Sequence, residues 1–370
     1  MKILLTATVQ SHICQFHRPL VDMLHKYGCE VHVAARDNLR EKNGLKLDFV
    51  DKVYNVPFDR SPKSQDNIRA YKQLRQIIQE EKYDIIHCNT PMGGVVTRLA
   101  ARTRRKSGTK VFYTAHGFHF YKDAPKKNWL IYYPIEKIFA HITDKLITIT
   151  KEDYELAKKK FCCKSYRIHG VGINTAKYDS VTSKQVTAIK EELGLQGKYV
   201  ILCTGELNTN KNQVTLIDAM QIIAQTIPNV VLLLAGNGPN EQTLRERIAE
   251  YKLDENVKML GYHTDLEIYV HAADIVVSVS LREGLPLNIA EAMYLGKPVV
   301  VSVNRGHREL VKDGENGYLV PAKDQQKIAE RIIDIATNSV KAAEFGMNGR
   351  KYAIPYTDQK VIEELREIYM

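Results

Sequence analysis

The sequence predicts an α/β protein of two domains, each a parallel β-sheet covered by helices on both faces. In the first half, short runs rich in β-branched residues alternate with segments of helical spacing. A second series of the same kind begins at Tyr199, and Gly170 and Gly172 between the two series supply the flexible positions of a hinge. A chain of 370 residues fits two such domains better than a single core.

The strands of the first half are predicted from short apolar runs, and a helix is expected between the first two, near Phe16 to Tyr27. The predicted strands cover 3–9, 30–35, 84–89, 111–115, 145–150 and 166–170. The stretch 38–64 has neither the strand nor the helix period, and we expect it to be irregular.

The second half opens with a strand that runs into the loop containing Gly205 and then into a helix beginning near Asn212. Asn210 is predicted to be the N-cap, so that Lys211 and the helix N-terminus could hold a diphosphate. The next strand ends at Gly236 and Gly238, whose small size would let a ligand approach the backbone. The last 47 residues, 324–370, are predicted to form three helices.

Two carboxylates, Glu283 and Glu291, stand eight positions apart across a strand, a turn and a helix. The strand is predicted over 275–280 and the helix over 287–295, which places Glu283 at the carboxyl end of a strand, where open α/β sheets bind ligands. Because each carboxylate can accept two hydrogen bonds, the pair suits a ligand with two polyols, such as a sugar nucleotide. The alternative is a helix N-terminal acid and a solvated surface residue.

The formal charge of +10 is unevenly distributed. Residues 1–169 contain 31 lysines and arginines against 17 acidic residues, a charge of +14, whereas residues 170–370 carry −4. The excess is densest in Arg98 to Lys110, where six cations occur without an acid. This run indicates an anionic partner or, alternatively, a solvated helix end.

Cysteine usage and hydropathy indicate a cytoplasmic protein that does not cross a membrane. Six cysteines without a C-x-x-C pair form neither a disulfide framework nor a zinc knuckle. The amino-terminal stretch is predicted to be a first strand and not a signal peptide. No apolar run approaches the roughly 18 to 20 residues of a spanning helix.

The segment 114–137 leaves a strand at His116 and continues into basic and aromatic sequence. A histidine at a strand end is commonly structural, and neither His116 nor His119 has a nearby acid or thiolate that would predict a metal site. Lys122, Lys126, Lys127 and Trp129 form the mixture expected at an anionic membrane surface. Alternatively, the aromatic residues of this segment belong to the core.

The stretch EGLPLNIAE, residues 283–291 after the IVVSVS strand, resembles the E-x7-E signature of retaining family 4 glycosyltransferases of the GT-B fold. The opening SHICQFHRPL, residues 11–20, resembles capsule and exopolysaccharide glycosyltransferases. The resemblance implies two Rossmann-like domains facing a central cleft. They would be an acceptor domain at 1–169 and a donor domain at 170–355, with a last helix, 356–370, that crosses back to the first domain.

The resemblance also implies roles for individual residues. Glu283 would contact the donor sugar, Glu291 the ribose, Lys211 the diphosphate, and His116 the sugar from the first domain. Further donor-site positions are Gly205, Arg282, Gly238, Tyr262 and Leu287, and the loop containing His17 would reach the acceptor. Glu206 stands where the family has an arginine, and Arg282 is the nearest cation that could compensate.

We therefore expect a hexosyl transfer from a UDP-sugar, without cofactor or metal, to a lipid-linked oligosaccharide of a bacterial capsule or exopolysaccharide. The enzyme would act peripherally at the inner face of the cell membrane. One alternative is a UDP-sugar 2-epimerase of the same fold. A basic nucleic-acid-binding protein is a second alternative, but the charge excess belongs to one domain and an acid pair would repel phosphates.

Overall fold

A computed structural model describes residues 1–41, 45–122 and 124–370. These residues form two compact units, each with one parallel sheet, which confirms the predicted α/β class. The first unit comprises Met1–Gly172 and Asp358–Met370, and the second comprises Ile173–Thr357. The predicted domain boundaries lie within three residues of these limits.

The sheet of the first unit contains seven strands: β1 (Lys2–Val9), β2 (Glu30–Arg36), β3 (Lys52–Asn55), β4 (Ile85–Asn89), β5 (Lys110–Ala115), β6 (Lys145–Thr148) and β7 (Lys164–Arg167). They pair in parallel in the order β3-β2-β1-β4-β5-β6-β7. The strand order reverses between β1 and β4, and open α/β sheets bind ligands at such a reversal.

The helices of the first unit cover both faces of its sheet, and seven of the eight residues of β1 are therefore buried. They are α1 (Gln10–Phe16), α2 (Arg18–Lys26), α3 (Asp66–Glu81), α4 (Pro91–Arg105), α5 (Lys126–Ala140) and α6 (Lys151–Lys160). The expectation that 38–64 is irregular is wrong at β3. This edge strand is short and mostly exposed, so it lacks a strong apolar pattern. Residues 42–44 of that stretch lie outside the described residues.

The sheet of the second unit has six parallel strands: β8 (Tyr199–Thr204), β9 (Val230–Ala235), β10 (Val257–Gly261), β11 (Ile275–Ser278), β12 (Val299–Ser302) and β13 (Tyr318–Val320). Their order is β10-β9-β8-β11-β12-β13, which reverses between β8 and β11. The helices are α7 (Thr175–Asp179), α8 (Ser183–Glu192), α9 (Gln213–Thr226), α10 (Glu241–Glu250), α11 (Leu266–Ala272), α12 (Leu287–Tyr294), α13 (Arg305–Leu310), α14 (Gln325–Thr337) and α15 (Ser339–Ala353).

The last helix, α16 (Asp358–Tyr369), belongs to the first unit, as the resemblance implied. Glu364 accepts a hydrogen bond from the His169 backbone N–H at 2.8 Å. The hydroxyl of Tyr369 lies 2.5 Å from Nδ1 of His87, a buried residue of β4. The tail from 324 thus forms the three predicted helices, and the third completes the first unit.

Candidate active site

The loops after β8 and β11 meet at the point where the strand order of the second unit reverses. Lys211 Nζ donates a hydrogen bond to Glu283 Oε1 at 2.7 Å. Asn210 joins the same loops, because its carbonyl accepts from the Leu281 N–H at 2.7 Å and its amide donates to the Arg282 carbonyl at 3.0 Å. The structure therefore brings together the predicted Lys211 and Glu283 at a ligand-binding edge.

The prediction that Asn210 caps the following helix is wrong. Helix α9 begins at Gln213, and the residue before it, Asn212, adopts a left-handed backbone with φ 58°. Asparagine tolerates this conformation better than most residues, which lets the chain turn sharply into the helix. The Asn212 amide donates to the carbonyls of Val279 and Ala322, so it holds the loop in place instead of capping α9.

Gly238 lies against protein backbone. A Cβ atom at this position would stand 2.2 Å from the carbonyl oxygen of Leu207, so any larger residue would push apart the loops after β8 and β9. Gly205, at the end of β8, borders the Lys211 side chain. These contacts give packing reasons for both glycines, and their contact with a donor remains a prediction.

Glu291 lies in α12 and is half-buried, so the alternative of a fully solvated residue is wrong. The hydroxyl of Tyr178 lies near its carboxylate. Burial raises the pKa of Glu291 to about 7, although Tyr178 and the charge of Lys177 act in the opposite direction. The Glu291 carboxyl therefore changes charge close to neutral pH.

The other predicted donor-site residues follow strands of the same sheet. Arg282 has an exposed side chain, and exposed Glu206 accepts a hydrogen bond from Asn208 at 2.9 Å. Tyr262 follows β10 and is 56% exposed, whereas Leu287 begins α12 and packs partly into the core. Compensation by Arg282 for Glu206 remains a prediction.

Sequence reasoning missed one neighbour of the acid pair, Tyr178, and assigned no role to another, Gly306. Tyr178 lies more than 100 positions before Glu291 and belongs to no motif. Gly306 opens α13 against the acid-bearing loop, where a Cβ atom would be 2.5 Å from the Gly284 carbonyl and 2.8 Å from Glu283 Cβ. The glycine at the start of a helix was the sequence feature that could have predicted this close approach.

In the first unit, His116 is part of a histidine cluster and is not the isolated strand-end residue considered from the sequence. Its ring centroid lies 4.8 Å from that of His12 and 6.4 Å from that of His17. Its Nε2 lies 3.2 Å from Asn89 Oδ1. Burial lowers the pKa of His17 to about 4 and that of His116 to about 3, so these rings are neutral. His17 is only 5% exposed, and its role toward the acceptor remains a prediction.

A pocket of about 790 Å³ opens beside this cluster within the first unit. Its wall combines apolar and aromatic side chains with a few polar groups, among them His12, Arg60, Phe118, Ile131, Tyr132 and Glu136. His119 is exposed and stacks on Tyr132, with their ring centroids 4.6 Å apart. The pocket can accommodate a ligand that has both polar and apolar parts.

Helix α5 presents a different surface from the one predicted. Lys122, Lys126 and Lys127 are exposed, as a membrane-facing role requires. Trp129 is half-buried, donates from Nε1 to the Tyr121 carbonyl at 2.9 Å, and packs on Phe120, so its membrane-facing role is not supported. The exposed apolar residues of α5 are instead Leu130, Ile131, Tyr132, Ile135 and Ile138.

The basic run from Arg98 to Lys110 is not a continuous cationic surface. Arg98 is 1% exposed, donates to Glu136 at 2.9 Å, and lies over the ring of Tyr113. Arg105 binds Asp144 through two hydrogen bonds of 2.9 Å. Both alternatives considered for the run are therefore wrong for Arg98, which links α4 to α5.

Comparison with known proteins matches both halves of the chain to glycosyltransferase models. Residues 2–150 match a model described as glycosyl transferase 4-like, and residues 185–352 match glycosyl transferases group 1. The chain is 40% identical over 371 residues to the putative glycosyltransferase EpsD of Bacillus subtilis, covering all of this chain and 96% of that protein. The chain belongs to the group 1 glycosyltransferases. This family is retaining. Because the chain belongs to it, the alternative of a nucleic-acid-binding protein is set aside.

Other relatives of this glycosyltransferase are named for a lipid-linked acceptor and for capsular polysaccharide biosynthesis. It is 27% identical to the UDP-Gal:alpha-D-GlcNAc-diphosphoundecaprenol alpha-1,3-galactosyltransferase of Escherichia coli, covering 82% of this chain and 79% of that one. It is 24% identical to the capsular polysaccharide biosynthesis glycosyltransferase CapM of Staphylococcus aureus, covering 95% and 92%.

A solved structure shares the fold. The Anabaena HepE structure in complex with UDP superposes with a TM-score of 0.79 at 23% identity, covering 100% of this chain and 99% of that one. The GT-B fold implied by the resemblance is thereby confirmed.

Proposed function

We propose that this glycosyltransferase moves a hexose from a UDP-linked donor to a lipid-linked saccharide, with retention of anomeric configuration. The observation that carries the proposal is the Lys211–Glu283 pair at the strand-order reversal of the second unit. A cation and a carboxylate at one ligand-binding edge suit a diphosphate beside sugar hydroxyls.

The donor would contact three groups of this unit in succession. Glu283 accepts hydrogen bonds from hydroxyls of the transferred sugar, Lys211 faces the diphosphate, and Glu291 accepts from the ribose hydroxyls. The N-terminus of α9 adds backbone N–H groups and a partial positive charge near the phosphates. Arg282 is exposed on the neighbouring loop and could approach the same phosphates.

The leaving UDP would be stabilised by these groups without a divalent ion. The sequence contains no D-x-D pair of the kind that holds a metal on a sugar-nucleotide diphosphate. With Glu283 assigned to the sugar hydroxyls, no residue is left as a nucleophile for a double displacement. The acceptor hydroxyl would therefore attack on the face that UDP leaves and pass its proton to the departing phosphate. The role of His116 beside the sugar rests on the family resemblance.

The acceptor site is proposed to be the pocket of the first unit. A pocket of about 790 Å³ with an apolar wall, beside a helix that exposes Leu130, Ile131 and Ile138, suits a saccharide joined to a lipid. The E. coli relative is named for a diphosphoundecaprenol-linked acceptor, which supports the same class here. The exposed lysines at 122, 126 and 127 would attract an anionic membrane surface.

The test is a UDP-sugar panel followed by transfer. One UDP-sugar should raise the thermal midpoint more than UDP alone, and the enzyme should transfer that sugar to a lipid-linked acceptor. Proton NMR should show an α linkage from the α-donor. A β linkage would refute retention, and conversion of the donor alone to its 2-epimer would establish the epimerase alternative.

A further inference from the structure

Three histidines converge at the strand-order reversal of the first sheet. His12 lies in α1, which follows β1, His17 follows the same helix, and His116 follows β5. One ring nitrogen from each residue lies within 4.8 Å of the other two. Parallel strands place their carboxyl ends at one edge, so residues distant in sequence meet at the position where such sheets bind ligands.

Two nitrogens of this cluster have no hydrogen-bond partner among the described residues. They are His12 Nε2 and His17 Nδ1, and both atoms are buried. Leaving a buried donor or acceptor unsatisfied costs about 1 to 3 kcal/mol, so such atoms commonly face an ordered water or an ion. The two unsatisfied nitrogens belong to the residues whose rings converge, which points to a shared ligand.

Asn89 orients one of the three rings. Its Oδ1 lies 3.2 Å from Nε2 of His116. When the amide oxygen accepts from one ring nitrogen, the other nitrogen of that neutral ring carries a free lone pair. Metal-binding histidines are commonly held in this way by a carbonyl or carboxylate behind them.

We propose that His12, His17 and His116 form a binding site for a divalent transition metal of the Zn²⁺ class. Imidazole nitrogens favour Zn²⁺, Cu²⁺, Ni²⁺ and Co²⁺, whereas Mg²⁺ and Ca²⁺ require oxygen ligands. Tetrahedral Zn–N bonds of about 2.1 Å place neighbouring nitrogens about 3.4 Å apart, so the rings draw inward by about 1 Å on binding.

The fourth coordination position is open. His12 also lines the pocket of the first unit, so a water molecule or an oxygen of a pocket ligand can complete the coordination there. The site uses residues of the first unit only, and Lys211 of the second unit takes no part in it. Metal binding can therefore be measured without substrate and without a transfer assay.

The experiment compares Zn²⁺ and Co²⁺ binding to the full-length protein and to two variants. His12→Ala removes a ligand at a half-buried position. His119→Ala is the matched control, since His119 is exposed, stacks on Tyr132 and lies outside the cluster. Calorimetry gives stoichiometry and affinity, and the visible absorption of the Co²⁺ protein reports its coordination number. The apo thermal midpoint of each variant verifies folding.

We expect one ion per chain, a four-coordinate Co²⁺ spectrum, and unchanged binding in His119→Ala. His12→Ala should weaken Zn²⁺ binding by about 100-fold or more, because loss of a supporting group alone costs roughly 10- to 100-fold. Asn89→Ala should fall within that smaller range. Equal affinity in the wild type and His12→Ala, a six-coordinate Co²⁺ spectrum, or no binding by the folded wild type would overturn the proposal.

Discussion

Lys211 Nζ and Glu283 Oε1 lie 2.7 Å apart, and they join two loops that are 72 positions apart in sequence. Both side chains are partly buried, so in the free enzyme the carboxylate neutralises a cation that would otherwise be poorly solvated. A diphosphate supplies a second negative partner for Lys211. Its arrival would leave Glu283 oxygen atoms available to sugar hydroxyls.

Replacement of Lys211 should damage transfer more than folding. Lys211→Ala should slow transfer by about 100-fold or more, comparable to the loss of one charge-stabilising donor in other enzymes. Steady-state rates with a UDP-sugar and acceptor provide the measurement. Lys198→Ala is the control, because Lys198 is exposed just before β8 at the opposite end of the same strand. Similar rates in the two variants would remove Lys211 from the phosphate site.

Chelation should leave transfer intact. If Lys211 and the α9 N-terminus stabilise the leaving diphosphate, EDTA should change the initial rate less than twofold. The assay uses enzyme dialysed against chelator and then supplied with individual metals. Loss of activity that Mg²⁺ or Mn²⁺ restores would contradict a metal-free donor site. Restoration by Zn²⁺ alone would indicate a requirement for the histidine cluster instead.

Glu291 should make stability depend on pH in an unusual direction. Its folded-state pKa of about 7 exceeds the ordinary value of 4.5, so the folded protein retains a proton that the unfolded chain releases. The stabilising contribution of this group is full below about pH 4.5 and is lost as the pH rises through 7. Glu291→Gln removes the effect, which corresponds to about 3 kcal/mol at pH 8.

Thermal midpoints at pH 5 and pH 8 measure this contribution. The Glu291→Gln protein should gain more stability over the wild type at pH 8 than at pH 5. The exposed Glu255→Gln serves as control and should show little difference between the two conditions. A Glu291→Gln change that is the same at both pH values would show that the carboxyl is already ionised at pH 5.

The motif predicted part of the candidate site because its residues are close in sequence. Glu283 and Glu291 share one strand-turn-helix unit, and Lys211 follows another strand end. Tyr178 was missed, and Gly306 was given no role, because both reach the acids through tertiary contacts between separate segments. Asn210 was misassigned because an asparagine side chain can either cap a helix or link two loops. The left-handed backbone of Asn212 decides between the two, because it places the start of the helix after Asn212.

The first unit was harder to predict because burial decides the role of its charged and aromatic residues. Arg98 is read from sequence as a surface cation, but Glu136, 38 positions away, and the ring of Tyr113 form a buried site for it. Likewise, the composition of α5 does not specify that Trp129 packs inward while Leu130 and Ile138 point outward. The spacing of those apolar residues along the helix was the sequence feature that could have predicted which side chains point outward.

Membrane binding should need both the lysines and the exposed apolar residues beside them. Cosedimentation should recover the protein with anionic liposomes at low salt, less at high salt, and little with neutral liposomes. Charge reversal of Lys122, Lys126 and Lys127 should abolish pelleting, and Leu130→Asp with Ile138→Asp should reduce it. Lys198→Glu, a charge reversal in the second unit, should leave the pelleted fraction unchanged. Unchanged pelleting of the triple lysine variant would exclude this segment as the docking surface.

The most direct test of the proposed donor site is UDP binding measured by calorimetry beside transfer rates in Glu291→Ala and Glu283→Ala. If Glu291 holds the ribose, its replacement should weaken UDP binding by roughly 10- to 100-fold, corresponding to about 1.5 to 3 kcal/mol for a charged hydrogen bond. If Glu283 holds the sugar, its replacement should leave UDP affinity unchanged and lower the transfer rate by a similar factor. Wild-type UDP affinity together with wild-type turnover in both variants would contradict the account.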